Sequence, residues 1–119
     1  MASAEFKVTV TPKGGTKAGW AILYFAWNGS FDPPPVLRPI PPSAWKADGE
    51  GKFSATIRLK RGQYCLQGDV VPGESKISID LTPRPTLAPP SEKWPLTVEV
   101  PPTRTRAVGT ILFDVGEGS

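Results

Sequence analysis

The sequence predicts an all-β protein: a single antiparallel β-sandwich domain of about seven strands over residues 1–119, with two Pro-rich loops. Three observations carry that expectation. Apolar and polar residues alternate with a period of two in stretch after stretch, as in strands with one buried face. No eleven-residue window shows an apolar stripe at helical spacing. Turn residues recur roughly every ten positions, the rhythm of a sandwich.

The strands follow in order. Phe6, Val8 and Val10 alternate with Lys7, Thr9 and Thr11. Ala18 to Trp27 is apolar almost throughout. Phe53, Ala55, Ile57 and Leu59 alternate with Ser54, Thr56 and Arg58. Tyr64 and Leu66 alternate with Cys65 and Gln67, and the pattern runs on to Val71. Ile77, Ile79 and Leu81 form the fifth, and Trp94, Leu96, Val98 and Val100 the sixth. In the last, Ala107 to Val115, the residues Ile111, Phe113 and Val115 share one face. A short helical turn near Pro42 to Lys46 is the only helix expected.

Connections are marked by glycine and proline. Val71-Pro72-Gly73-Glu74 has the Pro-Gly order of a type II turn and is expected to close a hairpin. Lys60-Arg61-Gly62-Gln63 reads as a second hairpin loop, with a bulge. Gly14-Gly15 and Asp48-Gly49 mark further turns. Together these strands and turns imply an immunoglobulin-like or prealbumin-like architecture, without the cysteine pair of immunoglobulin domains.

Two segments interrupt the strands. Phe31 to Ala44 holds Pro33-Pro34-Pro35, Pro39 and Pro41-Pro42; Thr82 to Pro95 holds Pro83, Pro85, Pro89-Pro90 and Pro95. Proline fixes φ and donates no hydrogen bond, so neither segment can be a central strand. Both are expected to stay extended and to lose little entropy on docking.

Composition narrows the chemistry. The chain has no histidine and one cysteine. It therefore lacks an imidazole base, and Cys65 alone forms neither a disulfide nor a Cys-only zinc site. Asp48-Gly49-Glu50-Gly51 supplies two carboxylates, short of the six to eight oxygens that calcium takes, and reads as a turn without metal. Asp69 and Glu74 flank the Pro72-Gly73 turn, but two carboxylates alone do not make a glycosidase. No nucleophile-elbow, phosphate-loop or dinucleotide-binding pattern occurs. Cys65 reads as a semi-buried filler, because no histidine is present to activate it. The expectation is a protein that is not an enzyme, with no catalytic residue, cofactor or metal.

A net charge of +3 is mild and dispersed, so nucleic acid is not the expected partner. Arg58, Lys60 and Arg61 form the densest basic run and read as a solvated strand end, with a phosphate-contacting patch as the alternative. No secretory signal or membrane span is legible, since Ala18 to Trp27 is about half the ~20 residues a span needs. Synthesis in the cytoplasm or assembly into a virion is the expected setting. Asn28-Gly29-Ser30 matches a glycosylation sequon that such a setting leaves unused.

Ala18 to Trp27 is apolar on both faces, whereas a sandwich strand needs only one. Either the following loop, with Phe31, Val36, Leu37, Ile40 and Trp45, folds back over the second face, or a partner covers it. The residues expected to bind a partner are Trp20, Tyr24, Trp27, Leu37, Trp45, Leu87 and Trp94. The expected role is a structural or accessory protein docking onto a larger assembly, such as a virion decoration or tail component, or forming a homo-oligomer. The alternative is an extracellular β-sandwich module binding protein or carbohydrate through the same aromatic residues.

Overall fold

Alternation places one apolar row on each strand, and two sheets bring those rows together. The computed structural model describes residues 3–30, 32–49, 51–87 and 94–116. In chain order the strands are β1 (Ala4–Pro12), β2 (Trp20–Ala26), β3 (Arg38–Pro39), β4 (Lys46–Ala47), β5 (Phe53–Leu59), β6 (Gly62–Val70), β7 (Lys76–Thr82), β8 (Thr86–Leu87), β9 (Leu96–Glu99) and β10 (Ala107–Val115). A 3₁₀ turn at Pro42–Ala44 is the helical element among the described residues. The first sheet has the order β4-β5-β1-β7-β9 and the second β3-β2-β6-β10-β8, with antiparallel pairing throughout.

The seven expected strands are β1, β2, β5, β6, β7, β9 and β10. The three additional two-residue strands lie at sheet edges. β3 and β8 come from the Pro-rich segments, and Pro39 is tolerated in β3 because an edge strand has one side without a ladder to feed.

The core lies between the sheets. Phe6, Val8 and Val10 of β1, Ile57 and Leu59 of β5, Ile77, Ile79 and Leu81 of β7 and Val98 of β9 face Trp20, Ile22, Leu66, Val70, Ile111 and Phe113 of the second sheet. Burying each such side chain contributes about 1.5–3 kcal/mol. Leu96, expected inside, is only half-buried, since β9 is the edge of its sheet.

Two expected hairpins are corrected. The Val71–Glu74 turn forms, with Glu74 N–H donating to Val71 O at 3.3 Å and Gly73 at φ 117°. It joins β6 of the second sheet to β7 of the first, however, so it is a crossing between sheets. Lys60–Gln63 likewise crosses from β5 to β6. Asp48-Gly49 does close a hairpin, between β4 and β5, with Asp48 N–H bonded to Lys52 O at 2.8 Å.

Candidate functional site

The register of the strands separates inward from outward residues, and the two outer faces differ in kind. Outward on the first sheet stand Glu5, Lys7, Thr9 and Thr11 of β1, Ser54, Thr56 and Arg58 of β5, and Lys76, Ser78 and Asp80 of β7. Every one is polar. Glu5 pairs with its cross-strand neighbour Arg58 at 2.9 Å, Lys7 with Asp48 at 2.6 Å, and Asp80 accepts two hydrogen bonds from Arg84 at 3.1 and 2.8 Å. Exposed pairs of this kind add at most about 1 kcal/mol each, and they mark a face built to meet water.

The outer face of the second sheet is largely apolar. One cross-strand row is Ala21, Asp69 and Val108; the next is Pro39, Leu23, Gln67 and Thr110; the third is Phe25, Cys65 and Leu112. Val108 is 63% exposed, Ala21 and Pro39 are exposed, and Leu23 and Leu112 are half-buried. Phe25 and Cys65 are buried although they lie outside the main core, with Trp27 turned over Phe25 at a ring distance of 6.4 Å. Burial pushes the Cys65 thiol above its ordinary pKa, with a backbone hydrogen bond involving Ile111 opposing the shift.

Each residue expected to bind a partner now has a place. Trp20 and Trp45, expected to bind a partner, are core residues at 8% and 4% exposure. Their rings meet edge to face at 5.1 Å, and Trp20 Nε1–H donates to Thr16 O at 2.8 Å, so ring and polar tip are both engaged within the chain. Trp94 packs on Phe113 at 6.0 Å and donates to Pro85 O at 3.1 Å, while Leu87 lies opposite Phe113 across the β8–β10 pair. Both are partly buried against the core. Tyr24 is half-buried on the inner side of β2, and Trp27 is half-buried on the outer side. Leu37 is 54% exposed, and its neighbour Val36 is 76% exposed.

The loop after β2 returns along its edge and into the core, and Val36 and Leu37 stay exposed. Ile40 N–H donates to Ile22 O at 2.9 Å, and the Ile40 and Trp45 side chains enter the core. Between them and β2 runs an apolar cleft of about 340 Å³, lined by Trp20, Ile22, Leu23, Pro41 and Trp45 among others. Phe31 and Pro89-Pro90 lie outside the described residues.

Asp69 and Glu74 do not meet. Asp69 accepts from Gln67 Nε2 at 3.1 Å, while Glu74 accepts from the backbone N–H groups of Gly14 and Ser75 at 2.9 and 2.8 Å. Among the described residues no three His, Cys, Asp or Glu side chains gather as a metal site would require, and no helix is long and apolar enough to cross a membrane.

The sequence reading missed Val108 and Leu112. The signal was present: Val108 and Leu112 stand with Thr110 and Asp114 on the second face of β10, which is half apolar, in the same sheet as the apolar outer row of β2. Comparison with protein-family models, with curated proteins and with solved structures finds no match to this chain.

Proposed function

We propose that this chain is a non-enzymatic structural or accessory protein, an immunoglobulin-like or prealbumin-like sandwich that docks onto a larger assembly through the outer face of its second sheet. The observation that carries the reading is the contrast between the two outer faces. An apolar sheet face rimmed by polar residues marks an interaction surface. Asp69 and Asp114 stand on this face and Lys17 lies beside Ala21 and Leu23, so the partner is a protein surface with an apolar centre and polar groups of both signs around it. Virion decorations and tail components are assemblies of this kind, an analogy of architecture.

Carbohydrate stacking fits less well. A sugar ring packs against the open face of an aromatic side chain, and among the described residues no Trp, Tyr or Phe is exposed.

Site-specific photo-crosslinking tests the proposal. A crosslinker at Val108 or Leu37 should yield a discrete adduct in the source cells or particles, and one at Thr56 on the first sheet should not. Equal adducts at all three positions, or a lone monomer with none, would overturn it.

A further inference from the structure

The basic run Arg58, Lys60 and Arg61 does not belong to the apolar face, and the fold gives part of it a setting that the sequence does not show. At the end of the sandwich where β5 crosses to β6, Arg58 and Lys60 come together with Arg38 of β3 and with Tyr24 and Tyr64 around a cleft of about 220 Å³. We infer that this cleft is a binding site for an oxyanion, a phosphate or sulfate group carried on a small organic ligand.

Three features support it. The charge is one-sided: three cations line the cleft and no carboxylate does. Glu5, the acid held by Arg58, is engaged on the outer side of the first sheet. Second, the donors are available. The side chains of Arg38 and Lys60 and the Tyr24 hydroxyl make no hydrogen bond or ion pair with the described residues, whereas Tyr64 O–H donates to the backbone Lys60 O at 3.0 Å and holds that backbone in place. A guanidinium presents a planar fork that matches two oxygens of a phosphate or sulfate, and a lysine adds a point charge beside it. Third, the half-buried rings of Tyr24 and Tyr64 line the same cleft as the cations, so an anionic group with a carbon body can meet a ring as well as a charge.

Glu5 offsets part of the Arg58 charge at 2.9 Å, but no carboxylate lines the cleft beside Arg38 and Lys60, and a bound dianion would offset their charge.

The test is a nuclear magnetic resonance titration of the whole chain at low ionic strength with inorganic phosphate and then phenyl phosphate. Saturable shifts are expected at the amides of Arg38, Lys60 and Tyr64, with phenyl phosphate binding more tightly. Replacing Arg38 and Lys60 together by Gln should weaken binding by roughly tenfold or more, since each removes a charge-assisted contact. Arg38→Lys keeps the charge and loses the fork, so it should fall between. Lys13→Gln with Lys52→Gln removes the same charge at the opposite end of the sandwich and should change nothing. Adenosine monophosphate and a sulfated disaccharide as competitors then separate a nucleotide from a sulfated sugar. Shifts that do not saturate, or equal weakening by the Lys13 and Lys52 pair, would overturn the site, since both signify diffuse counterion binding. If the double variant loses its native spectrum, Arg38→Lys and the control pair still decide.

Discussion

Gly68 and Gly109 lie directly opposite each other on β6 and β10, and together they form the floor on which the first sheet rests. A Cβ at Gly68 would stand 2.5 Å from Ile79 Cδ1, and one at Gly109 would stand 2.6 Å from Val98 Cγ2. Neither glycine has a positive φ, so the requirement is one of space and not of backbone conformation. Missing side chains here let β7 and β9 approach the middle of the second sheet.

Gly68→Ala and Gly109→Ala should each lower stability by about 1–3 kcal/mol through overpacking. Gly109→Ala is expected to cost more, because Val98 Cγ2 moves only with the stiff χ1 of a β-branched residue, whereas Ile79 Cδ1 can also move about χ2. Both sites touch Val98, so the double variant should depart from additivity. Urea denaturation of the two single variants and the double variant measures this, and independent, additive effects would refute the shared contact.

A second junction lies at the other end of the sandwich. Gly19 O accepts from Val71 N–H at 2.8 Å, and a Cβ on Gly19, whose φ is +88°, would meet Glu74 N at 2.5 Å. The Glu74 carboxylate ties the two loops by accepting from Gly14 and Ser75. Gly19→Ala should therefore cost about 2–3 kcal/mol from backbone strain and clash. Glu74→Ala should cost about 1–2 kcal/mol, with Glu74→Gln milder because one acceptor oxygen remains. Thermal unfolding ranks the three, and a harmless Gly19→Ala would show that the loops do not interlock.

Strand positions were legible because period two is written in residues such as Phe6, Val8 and Val10, and the same period governs both sheets. That is also why the sheet assignment was not legible. Ile57 and Leu66 present the same alternation whether β5 and β6 pair with each other or lie in opposite sheets, and a Gly-containing turn serves either connection. The candidate face was half legible: the surplus apolar row of β2 could be read from Leu23 and Phe25, whereas its union with Val108 depends on β6 lying between them. The places of Trp20 and Trp45 were not legible for a related reason. Tryptophan is favoured both at interfaces and in cores, and only the return of residues 40–45 over β2 decides between them.

Cys65 provides a pH signature. Burial raises its pKa in the folded state, so the folded chain holds the thiol proton more tightly than the unfolded chain. The stabilisation is complete below the ordinary cysteine value of about 8.5 and is lost as pH rises from there through the raised folded value. Stability of the wild type should fall over that alkaline window by more than that of Cys65→Ala, each compared with its own value at neutral pH. The thiol should also react slowly with Ellman's reagent until urea unfolds the chain. Rapid labelling of the native protein, or identical pH profiles, would contradict the burial.

Core and surface make opposite predictions for the aromatic and aliphatic residues near β2. Trp45→Ala empties a buried site against Trp20 and should cost about 3–5 kcal/mol of stability. Val108→Asp and Leu37→Asp change exposed side chains and should stay within about 0.5 kcal/mol of the wild type. If the outer face of the second sheet is the docking surface, the two aspartate variants should nevertheless abolish the crosslinked adduct. Each would set an unpaired charge against an apolar partner surface, and at Val108 the new charge would stand in the same row as the Asp69 carboxylate. Thr56→Asp, an equal change of charge on the first sheet, should leave the adduct intact. Loss of the adduct in Thr56→Asp as well would trace the effect to net charge, and retention of it in Val108→Asp would remove this face from the interface.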